Sequence, residues 1–267
     1  MYSEKLQKLI SYLRGLNSLI IAFSGGIDST FLLYIAREHI KRLILFTSVS
    51  AIHKSRDIED ARLIAQDLGI EHITIDTKEL LIPEFIINDK NRCYYCKRNL
   101  FKNMSKIARE IGISYIAHGV NSDDMQDYRP GHRAAKEYGV LAPLVYAGLK
   151  KQEIRRAAME MGIKIWDKPS SPCLATRIPY GQRITLDKLE MIDRAEALLQ
   201  DMGYKEVRVR HYGDMAKIEV PESEIEGVIK VRDEILKGFR QIGFLYVTLD
   251  IEGFISGKLN RIIEGGN

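Results

Sequence analysis

Apolar positions in the first two thirds of the chain follow two alternating spacings. Over 5–13, 29–38, 58–68, 98–111 and 151–161 they recur every three to four residues, which predicts amphipathic helices. Over 19–23, 42–47, 72–75 and 114–118 they form short runs, which predict buried strands. Strands alternating with helices predict an α/β fold with a doubly wound parallel sheet. The segment 78–91 has no regular period. A loop at 119–131, rich in Gly, Asn, Asp, Arg and Pro, follows the fourth strand, where ligand-contacting loops of open α/β sheets lie. Turn formers crowd 167–183 and place a domain junction near 175–184. Beyond it come a helix (186–199), two strands (207–210, 216–220), a helix (222–236) and a last strand (244–249). This order predicts a smaller α+β domain, so the expected domains are 1–178 and 179–267. Residues 264–267 are expected to fray.

Composition narrows the class. Of the 267 residues, 45% are apolar and 28% charged, values of an ordinary folded protein. The longest apolar stretches, 19–23 and 43–46, fall far short of the ~20 residues a membrane span needs. The first thirteen residues lack the layout of a signal peptide, so a cytoplasmic protein is expected. A net charge of +4 suits an anionic ligand but is low for a dedicated nucleic-acid binder. Three cysteines make a disulfide framework improbable and turn attention to metal or redox chemistry.

The most informative segment joins the first strand to the next helix through Ser24-Gly25-Gly26-Ile27-Asp28-Ser29-Thr30. Two glycines let the backbone approach a phosphate closely, and the helix start supplies N–H groups and a partial positive charge. Ser24, Ser29 and Thr30 add hydroxyl donors. The blander reading is a strand-to-helix turn capped by Asp28 or Ser29. No Lys-Ser or Lys-Thr follows the glycines, so the loop is not of the Walker A type used for γ-phosphate transfer. It resembles the SGGxDS signature of PP-loop ATP pyrophosphatases, which have an adenine nucleotide α-hydrolase-like fold. That resemblance implies cleavage of ATP to AMP and pyrophosphate, with Ala22, Ser24, Gly25, Gly26, Asp28, Ser29, Thr30, Ser48 and Gly119 at the nucleotide. It implies that Asp28 helps to place Mg2+, and that Thr47 and His118 border the adenosine.

Cys93-Tyr94-Tyr95-Cys96 puts two thiols close enough to share a metal, and Cys173 is the remaining one. On spacing alone a redox pair, a zinc site completed by histidine and a three-cysteine iron–sulfur cluster all stay open. Arg92, Lys97 and Arg98 would lower the thiol pKa values. Taken with the acidic loop 119–124, the run Asp127-Tyr128-Arg129-Pro130-Gly131, the segment 171–177 and Val207-Arg208-Val209-Arg210, the chain resembles the LarE family of ATP-dependent sulfur insertases over nearly its whole length. The resemblance implies adenylation of a carboxylate on a mononucleotide such as pyridinium-3,5-biscarboxylic acid mononucleotide, then sulfur insertion. One LarE branch carries a single cysteine, matching Cys173, and sacrifices its sulfur. The extra Cys93 and Cys96 resemble the other branch, where three cysteines hold a 4Fe-4S cluster as sulfur carrier. Asp28, Cys173 and Lys97 are then the expected catalytic residues, with ATP, Mg2+ and the cluster as cofactors. Arg208 and Arg210, two apart on a strand, are expected on one face and, with Arg177, to hold the substrate's phosphate or carboxylate. Expected partners are that mononucleotide, sulfide or a sulfur-donor protein, and further copies of the chain; membrane and nucleic acid are not expected. A tRNA thiolase and an amide-forming ligase are the rival readings.

Overall fold

The computed structural model describes residues 4–126, 130–255 and 257–261. Asp127, Tyr128 and Arg129 of the expected substrate loop, and the expected frayed end at 264–267, lie outside them. In chain order the first elements are α1 (Glu4–Arg14), β1 (Ser18–Ala22), α2 (Ile27–Arg37), β2 (Arg42–Ser48), α3 (Ser55–Asp67), β3 (Glu71–Ile75), α4 (Pro83–Ile86), α5 (Arg92–Glu110) and β4 (Tyr115–His118). They are followed by α6 (Gly131–Glu137), α7 (Pro143–Tyr146), α8 (Lys151–Glu160), α9 (Leu186–Asp201), β5 (Arg208–Tyr212), β6 (Met215–Glu219), α10 (Ile225–Lys230), α11 (Arg232–Ile242) and β7 (Tyr246–Leu249). The chain divides into two compact units, one of Met1–Glu79 with Cys93–Ser171, the other of Leu80–Arg92 with Pro172–Asn267.

The first unit holds a parallel sheet of order β3-β2-β1-β4. Strands β1 and β2 are buried along nearly their whole length while the edge strand β3 is only half-buried, and successive side chains point to opposite faces and so feed two cores. Leu19, Ile21, Leu43 and Leu45 pack with Leu9, Phe31, Leu32 and Ile154 from α1, α2 and α8. Ile20, Ile44, Phe46 and Ile116 pack with Phe101, Met104 and Ala108 of α5 and with Ala134 and Ala135 of α6. The doubly wound sheet expected from the alternating pattern is therefore present. The winding of this parallel sheet reverses at β1, since β2 and β3 lie on one side and β4 on the other. The carboxyl ends of β1 and β4 flank the resulting crevice, the usual ligand position in such sheets.

Several elements differ from the sequence expectation. Helix α5 starts at Arg92 rather than 98, so Cys93 and Cys96 lie inside it. An Asx turn in which Asp89 Oδ1 accepts from Asn91 N at 2.8 Å leads the chain into that helix before its apolar period becomes regular. The short helices α6 and α7 carry too few turns to show a period. The expected helix at 222–236 is broken at Val231 into α10 and α11.

In the second unit β5 and β6 form an antiparallel hairpin and β7 adds parallel to β6. Ala195 and Leu199 of α9 and Ile235 and Phe239 of α11 close its core over Val209 and Ile218. Two polar clamps set its extent. Asn88, fully buried at a positive φ of 62°, directs its amide at the carbonyls of Ile178, Pro179 and Gln182 and accepts from Arg92. Its backbone carbonyl accepts from Gly181 N at 3.0 Å, and Ile86 O accepts from Ile184 N at 3.0 Å, so 80–92 belongs with the second unit. The second clamp is Arg177, which donates to both carboxylate oxygens of Glu196 at 2.7 and 3.0 Å with each side chain 1% exposed. Glu196 also accepts from Val209 N at 3.0 Å, tying α9 to β5. This pair draws residues 172–178 into the second unit, so the division falls at 171/172 rather than at the expected 178/179.

Removing one partner of a buried ion pair strands the other charge. Glu196→Ala is therefore expected to cost about 3–5 kcal/mol of stability. The exposed pair Arg156–Glu160 serves as the control, and Arg156→Ala should leave the urea midpoint where it is.

Candidate active site

The loop after β1 is shaped by two glycines and a serine network. Gly25 has a φ of 66°, which favours glycine, and a Cβ there would lie 3.0 Å from Ala61 N. Gly26 is the N-cap of α2 and no side chain caps that end, so neither Asp28 nor Ser29 plays the capping part of the blander reading. Ser29 Oγ donates to Gly26 O at 3.1 Å, lies 3.3 Å from Ser24 Oγ and accepts from Ser24 N at 3.4 Å. Thr30 is buried, with its hydroxyl without a partner and its N–H bonded to Gly26 O. Ala22 ends β1, paired in register with Phe46 of β2 and His118 of β4. Gly119 follows β4 so closely that a Cβ would sit 2.7 Å from Ser29 N and 2.9 Å from Ser29 Cα. The fourth strand can reach the start of α2 only through a residue without a side chain.

A pocket opens beside this loop, lined by Ser24, Gly26, Asp28, Asp57, Lys151, Lys168, Ser170 and Ser171 together with Ile27 and Pro169. Lys151 Nζ lies 2.5 Å from Asp28 Oδ2. Lys168 Nζ reaches Asp60 at 2.7 Å, Asp57 at 3.0 Å and the carbonyl of Gly25 at 3.3 Å. Burial raises the Asp28 pKa, with Lys151 opposing and Asp124 reinforcing the shift. Burial also works against the charge of Lys168, but Asp57 and Asp60 outweigh it and raise its pKa, so it stays an ammonium. Among the described residues Asp28 Oδ1 is buried with no partner at hydrogen-bond distance, although the Asn121 side chain is near enough to favour the charged form of the carboxyl. An uncompensated carboxylate oxygen beside phosphate-binding N–H groups fits Mg2+ held by oxygen ligands.

Sequence reasoning missed both lysines because they lie more than a hundred residues from the loop. Lys151 did leave a trace: a lysine in the first turn of a helix opposes the helix dipole, which usually signals another purpose.

The expected adenosine edge is more committed than anticipated. Thr47 donates to Phe23 O at 2.7 Å, and His72 Nε2 sits 2.7 Å from the same hydroxyl, so the imidazole donates there. Ser48 bonds Thr77 at 2.6 Å, and Thr77 bonds the buried Glu79. His118 is held neutral, its pKa pushed down to about 3 by burial and then by Lys97 and His132; burial and Lys97 likewise bring His53 down to about 4, against the pull of Glu79. Lys97 thus lies within electrostatic reach of both imidazoles, one turn from Cys93 on α5.

Cys93 and Cys96 form no disulfide and are half-buried, three apart and hence on one helical face. Cys173, also outside any disulfide, belongs to the second unit. Among the described residues no three His, Cys, Asp or Glu side chains gather as a metal centre.

The expected substrate arginines are buried rather than displayed on an open strand face. Arg210 donates to Glu219 at 3.0 and 2.7 Å and to Thr176 O at 2.7 Å. Arg177 is committed to Glu196. Arg208 has no carboxylate partner among the described residues and lies over the Phe254 ring at 4.3 Å. Burial lowers its pKa to about 10, with Arg177 and Arg210 adding repulsion. An anion is the natural complement of that guanidinium.

The comparisons agree with this geometry. The profile of a family described as queuosine biosynthesis protein QueC matches residues 18–184, covering the loop, the sheet and the pocket. A pyridinium-3,5-bisthiocarboxylic acid mononucleotide synthase of Lactiplantibacillus plantarum is 33% identical over 97% of this chain and 94% of its own. The chain belongs to the LarE family of PP-loop proteins. An uncharacterized protein of Synechocystis sp. is 41% identical over 98% of this chain and 99% of its own. A tRNA-specific 2-thiouridylase of Rickettsia felis is 29% identical over only 58% of this chain and 53% of its own. As a LarE-family member the protein is an ATP-using enzyme of the PP-loop kind. Among the described residues no helix is long and apolar enough to cross a membrane.

Gly119→Ala tests the close approach. The added methyl must push β4 away from Ser29, and ATP binding measured by calorimetry should fall at least about tenfold, or roughly 1.4 kcal/mol, whereas Gly15→Ala, whose added Cβ would meet Tyr12 O at an ordinary 3.4 Å, should leave it unchanged.

Proposed function

We propose that this protein uses ATP to adenylate a carboxylate of a mononucleotide, pyridinium-3,5-biscarboxylic acid mononucleotide or a close relative, and then replaces the AMP with sulfur. The observation that carries the reading is the end-to-end similarity to a bisthiocarboxylic acid mononucleotide synthase, in a chain whose phosphate loop lacks the lysine of γ-phosphate transfer. In the first step a carboxylate oxygen of the acceptor bonds to the α-phosphorus of ATP, the bond from that phosphorus to the bridging oxygen breaks, and pyrophosphate leaves. In the second, sulfide bonds to the activated acyl carbon and AMP leaves, giving a thiocarboxylate.

The phosphate loop and the start of α2 receive the pyrophosphate, stabilising negative charge as it develops on the leaving group. Asp28 is the residue to hold Mg2+, through the oxygen that the fold leaves uncompensated. Lys97, within electrostatic reach of two neutral imidazoles, brings positive charge to the helix that carries Cys93 and Cys96. Cys93, Cys96 and Cys173 would hold a 4Fe-4S cluster, which when bound supplies the sulfur atom. Three donors and no fourth thiol in the sequence support this over a closed zinc site. Arg208 is the residue we assign to the acceptor's phosphate or carboxylate, because Arg177 and Arg210 already have glutamate partners.

Two sets of variants test the separate parts. Cys93→Ala, Cys96→Ala and Cys173→Ala, made anaerobically with iron and sulfide, should each lose the brown chromophore and thiocarboxylate formation while pyrophosphate release continues. A wild-type protein that turns over once, with Cys173 left as dehydroalanine, would contradict the cluster and restore the sacrificial route. Arg208→Ala should raise the acceptor's KM by about tenfold or more and leave ATP affinity unchanged. Equal loss of ATP affinity would show that Arg208 serves the nucleotide instead.

A further inference from the structure

The pocket beside the phosphate loop carries two lysines, and they are held in different ways. Lys168 is fixed by Asp57, Asp60 and the Gly25 carbonyl, three acceptors that tie the phosphate loop to α3. Among the described residues the Lys151 ammonium has one partner, Asp28 Oδ2. Its backbone N–H is separately anchored to Asp123 Oδ2 at 2.8 Å, so the start of α8 stays in place wherever the side chain points. Asp28, in turn, leaves Oδ1 buried and unpartnered.

These facts describe a site that has cancelled its own charge. Asp28 and Asp57 face Lys151 and Lys168 across the lining, two negative groups against two positive ones. A polyphosphate entering alone meets the N–H groups at the start of α2 but no net side-chain charge, and it meets repulsion from Asp28. A divalent cation entering alone must compete with the Lys151 ammonium for the same carboxylate. Entering together they remove both obstacles: the cation takes Asp28, and the released lysine turns to the phosphates.

We propose that Lys151 is a pyrophosphate-binding residue held in reserve by Asp28, and that exchange of Asp28 from Lys151 to the cation makes metal and nucleotide bind as one unit. The inference rests on the reading of this pocket as the ATP site and adds the residue that grips the leaving group. Lys151 opposes its own helix dipole in the free protein, a cost that contact with a polyanion removes. Coupling between two ligands is reciprocal, so one side chain sets the affinity for both.

The test uses the full-length protein with Mn2+ as a spectroscopic probe and inorganic pyrophosphate as the anion. Lys151→Met removes the internal cation and keeps the side chain's bulk. It is expected to bind Mn2+ alone about tenfold more tightly than wild type, and Mn2+-saturated protein should bind pyrophosphate at least about tenfold more weakly, within the usual range of coupled sites. Lys151→Arg should restore pyrophosphate binding. A Lys151→Met protein that is folded by circular dichroism but weakens Mn2+ binding, or leaves both affinities unchanged, would overturn the exchange. If wild type meanwhile binds ATP in this pocket, only the exchange has failed. A wild type that binds no ATP there removes the ATP-site reading itself.

Discussion

The close approach of Gly119 to the first turn of α2 is the contact on which the site depends. It brings the end of β4 against the N-terminus of the helix after β1, at the point where the parallel sheet reverses its winding. A side chain at 119 would fall within bonding-forbidden distance of the Ser29 backbone. With it absent, two strand ends, one helix start and a glycine loop share a single crevice. The resulting array of N–H groups has no side-chain cap to satisfy it and is available to phosphate oxygens.

Electrostatic balance is the second constraint, and the two units meet it in different ways. In the first unit, lysines and aspartates neutralise one another around a solvent-reaching pocket, so partners can be exchanged when a ligand arrives. In the second, Arg177–Glu196 and Arg210–Glu219 are nearly water-free pairs that hold the turn at Leu174–Arg177, helix α9 and the β5–β6 hairpin together. Such pairs contribute specificity of arrangement more than net stability, because desolvation offsets much of their attraction. Arg208 is left beside them without an acid, which makes it the chemically distinct member of a triplet that looks uniform in sequence.

That triplet shows where sequence reading succeeds and where it stops. The strand, glycine loop and helix of 18–37 were legible because an apolar run, two glycines and a helical period are local signals. The doubly wound sheet followed from the same alternation. Arg208 and Arg210 are expected on one face that holds substrate, but strand period reports only which residues share a side and not what covers that side. The clamp made by Asn88 was invisible, since a lone Asn in an irregular segment gives no hint that its amide meets carbonyls some ninety residues away. Lys151 and Lys168 escaped for the same reason, being brought to the loop by tertiary folding alone. Helix α5 was read late because Arg92, Tyr94, Tyr95 and Arg98 blur its apolar period at the start.

The central claim is that the phosphate loop cleaves ATP between the α- and β-phosphates. The most direct measurement is phosphorus NMR of purified protein turning over ATP with Mg2+ and a carboxylate mononucleotide. The account predicts AMP and pyrophosphate in equal amounts, with both lost in Asp28→Asn. Release of ADP and inorganic phosphate as the coupled products would contradict it.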